Sequence, residues 1–246
     1  MLRRAALPFL CALVFQGCGS TQPYQGMTVD QVYAIGVQAY EAGEYDEAIR
    51  ALDRLFLSFA GFEQAANARL LLGHAHFAKE DFLSAQAEYT RFLDRHPVHP
   101  EAPLAALGIC RSLAELSPIP QRDQTYTEDA RSTCRNVVLD YQGTPEAAEA
   151  AELAEAMRLK LAEKEFLNAQ FYFSRELYDS AITYFGFVVE GYPDTAWAPR
   201  ALLGIYRSNL AIGYDDLAED ARDELLRRYP DSPAAREVNV DGNGGG

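Results

Sequence analysis

Small, aromatic and proline residues recur along this chain with a period of 35 to 37 residues. Counted from Gly73, the stretch LLGHAHFAKEDFLSAQAEYTRFLDRHP has aromatic residues at +4, +9, +16 and +19, an alanine at +12 and a proline at +24. Counted from Gly36, 37 residues earlier, aromatic, aliphatic or alanine residues stand at the same offsets, and only the closing proline is missing. A period of this length predicts an array of similar units that stack on one another.

These residues resemble the tetratricopeptide repeat, a pair of antiparallel helices of about 34 residues. The small residues Gly73 and Ala85 allow the two helices of one unit to approach closely. Tyr89 and Phe92 are spaced to face the first helix of the next unit. Pro97 ends the second helix because it has no amide proton to continue it.

The pattern continues through three further units. The third restarts at Gly108, but the Pro-rich stretch LSPIPQRDQTYT, residues 116–127, delays its second helix and is predicted to be a loop. The fourth contains Ala181 and closes at Pro193, and the fifth closes at Pro230. The predicted fold is therefore all-α, a tetratricopeptide-repeat superhelix of about five helix pairs.

One helix breaks the regular pattern. From Pro145 to Arg175 the sequence predicts an unbroken helix with an apolar stripe, about twice as long as an ordinary first helix. We expect it to join repeats 1–3 to repeats 4–5. The expected divisions are a signal peptide at 1–17, a flexible tether at 18–28, an N-terminal half at 29–144, a C-terminal half at 145–235 and a disordered tail at 236–246.

The first 17 residues are built like a secretory signal. Two arginines precede eleven mostly apolar residues, a run too short to span a bilayer, which needs about 20 apolar residues. Cys18 follows directly after Gly17, so the stretch resembles the lipobox of bacterial lipoproteins, although an ordinary signal with an incidental Cys is the alternative. That resemblance implies cleavage before Cys18 and lipidation of its thiol. Gly19 and Ser20 lack the Asp that holds many such proteins at the inner membrane, so we expect the outer membrane.

Charge and motifs exclude several classes of function. Removing residues 1–17 lowers Lys plus Arg from 22 to 20 against 36 acidic residues, a net charge of −16. Such a chain is a poor partner for nucleic acid, because that binding depends on neutralising phosphates. No nucleophile with a base and no phosphate-binding loop is present, and the sequence HAH at His74 and His76 lacks metal-ligand spacing on a helix. We expect no catalysis, no metal and no cofactor.

Two cysteines, Cys110 and Cys134, lie on the two predicted helices of the third repeat. An exported protein reaches a compartment that permits disulfides, so the pair could close a bridge around the Pro-rich loop. Two small buried thiols are the alternative.

First helices of such an array line a surface suited to capturing extended or helical peptides. In the first two repeats this surface is predicted to carry six candidate substrate-binding residues: Tyr33, Val37, Tyr40, Leu70, His74 and Phe77. Aromatic residues are common binding anchors. Ordinary packing between helices explains each of them equally well.

The whole chain resembles the BamD (ComL) family of lipoproteins, which belongs to the outer-membrane β-barrel assembly (BAM) machine. The resemblance rests on the lipoprotein signal, the five repeats, the long fourth-repeat helix and the turns YPDT, ending at Thr195, and RYPDS, ending at Ser232. It implies that the N-terminal repeats bind unfolded outer-membrane β-barrel proteins. It also implies that the C-terminal repeats bind a periplasmic domain of the BamA subunit, and in some bacteria other Bam lipoproteins. Trp197 and Arg200 are the candidate BamA contacts.

Two other functions fit parts of the sequence. A repeat lipoprotein could coordinate cell-wall synthesis or the Tol-Pal system. A lipoprotein enzyme acting on peptidoglycan would need paired carboxylates in a cleft, and no loop in the sequence places such a pair.

Overall fold

The computed structural model describes residues 23–59 and 61–243. The predicted signal peptide at 1–17 and Cys18 lie outside the described residues. Those that are described form eleven α-helices and no strand. The helices are α1 (Val29–Glu41), α2 (Tyr45–Ser58), α3 (Ala65–Ala78), α4 (Phe82–Arg95), α5 (Ala102–Leu116), α6 (Thr125–Asp140), α7 (Pro145–Phe173), α8 (Tyr178–Gly191), α9 (Trp197–Ala211), α10 (Asp215–Arg228) and α11 (Pro233–Asn243).

Consecutive helices form five pairs, from repeat 1 (α1 and α2) to repeat 5 (α9 and α10). Each second helix packs between its own first helix and the first helix that follows, as α4 does between α3 and α5. This is the arrangement of a tetratricopeptide-repeat superhelix. The predicted all-α fold class is confirmed.

Glycines on the first helices make this packing possible. The ring of Tyr89 lies between Gly73 on α3 and Gly108 on α5, and a Cβ added to either glycine would come within 2.7 or 2.6 Å of the ring. Gly204 on α9 lies against Phe185 of α8 in the same way. The small residues that define the sequence repeat therefore mark the closest approaches between helices.

The long helix α7 runs without a break for 29 residues, from Pro145 to Phe173. Thr144 caps it by accepting a hydrogen bond from the Ala147 amide, and proline suits the first helical position because its missing amide proton has no partner there. Ala150 packs with α5 and α6, whereas Phe166 and Ala169 pack with α8 and α9. A helix of this length spans about 43 Å, so α7 joins repeats 1–3 to repeats 4–5 as predicted.

The Pro-rich loop of repeat 3 is shorter than predicted, because α6 begins at Thr125. The buried side chains of Gln124 and Thr127 explain the difference. Gln124 donates to the carbonyl oxygens of Ile119 and Arg122, and the Thr127 hydroxyl donates to Gln124. Residues 125–127 are therefore the first turn of a helix rather than loop.

The tail prediction for 236–246 is wrong for the residues that the structure describes. Helix α11 runs from Pro233 to Asn243. Ala234, Ala235 and Val238 are buried in the cluster formed by α7, α8 and α9. The Gly-rich composition suggested disorder, but burial of three apolar side chains on one helical face stabilises the helix.

The described end of the predicted tether is also packed rather than free. The Tyr24 hydroxyl donates to Glu47 Oε1 on α2 at 2.6 Å, and the ring packs beside the repeat 1 cluster. Thr28 and Gln31 form a reciprocal capping box at the start of α1. Tyr24 and Thr28, from this end of the predicted tether, are therefore part of the folded array.

Candidate binding surfaces

The six predicted substrate-binding residues divide into one buried and five partly exposed side chains. Leu70 is only 7% exposed and packs with Ala85, Tyr89 and Phe92 in the core between α3, α4 and α5. Its side chain serves packing and offers little contact surface to a ligand. The partly exposed residues are Tyr33, Val37, Tyr40, His74 and Phe77.

Contacts with a second aromatic ring in the same repeat hold the side chains of Tyr40 and Phe77 in place. Tyr40 packs on Tyr45 with ring centroids 5.8 Å apart, and Phe77 packs edge-on against Phe82 at 5.3 Å. Both pairs join the end of a first helix to the start of its second helix. Each side chain therefore stabilises its repeat and exposes the rest of its ring.

His74 is the member of the set whose polar side chain contacts a buried tyrosine. Its Nδ1 lies 2.7 Å from the hydroxyl of Tyr89, in the middle of the α3 to α5 packing. Burial lowers the pKa of His74, and the positive charge of Arg111 lowers it further. Burial also raises the pKa of Tyr89. The pair is therefore a neutral imidazole and a neutral phenol.

Arg111 and Glu149 form an ion pair beside this site. Arg111 on α5 donates from Nε and Nη2 to the two carboxylate oxygens of Glu149 on α7, each at 2.5 Å. This hydrogen bonding to Arg111 lowers the pKa of Glu149. Both side chains are partly exposed. A ligand running across α3, α5 and α7 therefore meets a partly exposed histidine and an ion pair, whereas Tyr89 lies buried beneath them. No local pattern in the sequence indicates this pair, because 38 residues separate its members.

A second surface is an apolar groove between α7, α9 and α11. Its volume is about 700 Å³. We call it the C-terminal groove, and its lining includes Phe166, Phe173, Pro199, Arg200, Leu203 and Pro233. Helix α11 forms one wall through Pro233, Ala234 and Glu237, and Glu237 comes from the segment predicted to be disordered.

The two candidate BamA contacts meet at the edge of this groove. Trp197 packs on Phe166 with ring centroids 5.0 Å apart. The guanidinium of Arg200 lies 4.7 Å from the Phe166 ring centroid and 4.6 Å from that of Trp197. Arg200 forms no ion pair with any of the described residues. An exposed cation stacked on two aromatic rings can accept an anionic group from a ligand.

Cys110 and Cys134 form a disulfide in the structure, with Cα atoms 5.0 Å apart. Both residues are fully buried between α5 and α6. The bridge joins the two helices of repeat 3 on either side of the inserted loop.

Within residues 23–59 and 61–243, no group of three or more His, Cys, Asp or Glu side chains could hold a metal ion. No helix among these residues is long and apolar enough to cross a membrane. We call the partly exposed surface of α1, α3, α5 and α7 that carries Tyr33, Tyr40, Phe77, His74 and the Arg111–Glu149 pair the N-terminal groove. This surface and the C-terminal groove are the two candidate binding surfaces.

Residues 25–225 match the family model described as YfiO, outer membrane lipoprotein. The chain is 26% identical over 219 residues to the outer membrane protein assembly factor BamD of Caulobacter vibrioides, covering 85% of this chain and 70% of that protein. It is 22% identical to the BamD of Pasteurella multocida, covering 85% and 84%. It is 24% identical to that of Vibrio cholerae, covering 89% and 95%.

Among solved structures, the TPR2AB domain of yeast Sti1 in its pHSP90 complex matches with a TM-score of 0.42 and 14% identity, covering 84% of this chain and 80% of that one. The family assignment rests on the sequence matches. The resemblance to BamD is confirmed by a family model that spans most of the chain and by several relatives. The chain belongs to the YfiO family of outer membrane lipoproteins, and relatives of it are named outer membrane protein assembly factor BamD.

Proposed function

We propose that this protein is a lipid-anchored periplasmic scaffold of the outer-membrane β-barrel assembly machine. In this role it binds unfolded outer-membrane proteins and the BamA subunit and promotes folding and insertion. The observation that carries the proposal is the family match over residues 25–225. Relatives matched over most of this chain are named outer membrane protein assembly factors, which supports a role in that process. The N-terminal and C-terminal grooves offer surfaces that can bind partner proteins.

The N-terminal groove is the proposed site for unfolded clients. It offers partly exposed Tyr33, Tyr40 and Phe77 beside His74 and the Arg111 to Glu149 pair. Aromatic anchors next to polar groups suit an extended segment with alternating apolar and polar side chains. Binding such a segment shields a strand edge that would otherwise aggregate.

The C-terminal groove is the proposed site for the periplasmic domain of BamA. Its apolar lining can receive an aliphatic or aromatic side chain. Arg200 stands at its edge without an ion-pair partner among the described residues and can meet a carboxylate of BamA. Trp197 packs on Phe166, and its ring also contacts the Arg200 guanidinium and helps to hold it in place.

Lipidation of Cys18 is the proposed means of attachment to the outer membrane, with the folded array on the periplasmic side. Two or more acyl chains anchor a protein stably, whereas one holds only marginally. Anchoring raises the effective concentration of the scaffold at the site of barrel assembly. The proposed mechanism is binding without chemistry, in a protein that is not an enzyme.

The test is purification of the full chain from its own membrane in mild detergent, through a tag placed after Gly246. We expect a BamA-type barrel protein in stoichiometric yield, with accessory Bam lipoproteins as further partners in bacteria that have them. Recovery of Tol-Pal components or glycan synthases in its place would contradict the assembly role and support cell-wall coordination. Turnover of peptidoglycan by the purified protein would contradict a purely scaffolding role.

A further inference from the structure

The side of repeat 4 that faces repeat 3 is open and carries aromatic residues. We call it the repeat-4 face. It consists of Asn168, Phe171 and Tyr172 at the end of α7, Arg175 in the turn that follows, and Tyr184 and Phe187 on α8. Phe171 is 51% exposed and Phe187 is 50% exposed.

Repeat 2 shows what normally covers this side of a first helix. Counted from Gly73 on α3, the residues at offsets −5, −1 and +2 are fully buried against the preceding repeat: Ala68, Leu72 and Ala75. Ala68 and Leu72 pack on Leu52 and Leu55 of α2. The second helix of the preceding repeat is therefore the normal occupant of this side.

Repeat 4 places different residues at the same offsets. Ala169 corresponds to Gly73. Ala169 lies 12 residues before Ala181 in α8, just as Gly73 lies 12 residues before Ala85 in α4. The offsets −5, −1 and +2 from Ala169 fall on Lys164, Asn168 and Phe171. Three fully buried apolar residues in repeat 2 are thus replaced by a lysine, an amide and a half-exposed phenylalanine.

The length of α7 explains the difference. Helix α6 packs along the first half of α7, through Ala150 and Ala154. The loop before α6 reaches Lys164, which donates to the carbonyl oxygen of Arg122 at 3.3 Å. Helix α8 packs only on α7 and α9 among the described helices. The preceding repeat therefore ends before Asn168, and no helix among the described residues covers the Asn168 and Phe171 side of α7.

The aromatic side chains on this face form a connected row. Phe171 packs edge-on against Tyr172 at 5.5 Å, Tyr172 stacks on Tyr184 at 4.8 Å, and Tyr184 packs edge-on against Phe187 at 5.5 Å. The guanidinium of Arg175 lies 4.3 Å from the Phe171 ring centroid. Arg175 forms no ion pair with another described residue.

We propose that the repeat-4 face binds one amphipathic helix of a partner protein. The helix takes the position that α2 takes on α3 and α4 takes on α5, so the fold itself specifies the shape of the occupant. Its apolar stripe covers Phe171 and Phe187, and a carboxylate on its edge pairs with Arg175. This surface is separate from both grooves, so the proposal goes beyond the scaffold role and does not depend on it.

The first experiment replaces Phe171 with the photo-crosslinking residue benzoylphenylalanine in the full chain, irradiated in its own membrane. A matched control carries the same probe at Leu139, which is 61% exposed on α6. We expect the probe at 171, and not that at 139, to crosslink one segment of another protein with apolar residues spaced three and four apart. Absence of a crosslink at 171, or one only to a second copy of this chain, would overturn the proposal.

The second experiment measures binding of a synthetic peptide of the crosslinked segment to the purified chain. We expect it to become helical on binding, and to bind at least ~10-fold more weakly to the double variant Phe171→Ser/Phe187→Ser and to Arg175→Glu. Leu139→Ser should leave its affinity unchanged. Binding as an extended strand, or equal affinity for all variants, would contradict a helix-binding face. Unchanged far-ultraviolet circular dichroism verifies folding, and recovery of the barrel subunit tests the scaffold role independently.

Discussion

Arg158 of α7 and Asp194 of the turn after α8 are joined by two hydrogen bonds, of 3.0 and 2.6 Å, although 36 residues separate them. Arg158 also donates to Glu155 one turn earlier on α7. The contact ties the YPDT turn between repeats 4 and 5 to the long helix. Hydrogen bonding to Arg158 lowers the pKa of Asp194.

Replacing Asp194 with Asn removes the negative charge and one of the two acceptor oxygens, and we expect a small decrease in Tm at pH 7. A carboxyl whose pKa is lowered on folding stabilises the protein above its unfolded pKa, near 3.9, and loses that effect as the pH falls through its folded pKa. The difference between variant and wild type should therefore shrink between pH 5 and pH 3. Asp231→Asn, in the corresponding turn of repeat 5, is the control, since no described residue forms an ion pair with Asp231. Equal effects of the two variants would show that the contact is not stabilising.

Replacing Gly108 with Ala should destabilise the fold by about 1–3 kcal/mol, as overpacking in a core does. The added Cβ would lie 2.6 Å from the Tyr89 ring, which Gly73 confines on its other side. Gly186→Ala is the matched control in a second helix, because a Cβ there meets nothing within 4 Å. The Gly186→Ala substitution should stabilise α8 by roughly 0.5–1 kcal/mol, because alanine loses less backbone freedom than glycine on forming a helix. Urea denaturation of both variants measures these changes, and a neutral Gly108→Ala would refute the close approach.

His74 should make stability fall below neutral pH. Its pKa is lowered on folding, so its contribution is present above the unfolded value, near 6.5, and is lost as the pH falls through the folded pKa. We expect the free energy of unfolding to fall more for the wild type than for His74→Gln between pH 7.5 and pH 5. His99→Gln controls for loss of a histidine elsewhere. Parallel curves for wild type and His74→Gln would contradict the prediction.

The disulfide between Cys110 and Cys134 should be detectable by mass. Alkylation in denaturant without reductant should leave both cysteines unmodified, and alkylation in denaturant after reduction should add two groups. The bridge spans 24 residues, so removing it with Cys110→Ala/Cys134→Ala should cost about 3 kcal/mol of stability. Alkylation to the same mass with and without reductant would mean that the thiols are free. In that case, reductant should have no effect on urea denaturation.

Reversing the charge of Arg200 should weaken association with the barrel subunit. We expect Arg200→Glu to lower its recovery at least ~10-fold, equivalent to about 1.4 kcal/mol, because an anionic group would face a carboxylate. Arg227→Glu, on α10, makes the same charge change away from the C-terminal groove and should leave recovery unchanged. Intact co-purification with Arg200→Glu would remove this residue from the proposed interface. The substitution is on an exposed side chain, so folding should be retained.

The local pattern of residues determined the helices and their order. The period of 35 to 37 residues and the glycine, alanine and proline positions predict the pairs, because helix packing and helix ends depend on side-chain size and backbone chemistry at fixed spacings. The stripe after Pro145 likewise predicts α7 as one long helix. The division into two halves and the roles of Tyr33, Trp197 and the other candidate site residues stay predictions.

Only the tertiary structure decided which of these positions are surface and which are core. Leu70 fits the pattern of a groove residue, but neighbouring helices bury it. The contact of Tyr24 with Glu47 and the burial of Val238 on α11 depend on elements brought together by the fold. The repeat-4 face also depends on where α6 ends along α7. The sequence by itself determined the repeating helices, because their signals are local. Contacts between distant segments were decided by packing, because which side chains meet depends on the relative positions of whole helices.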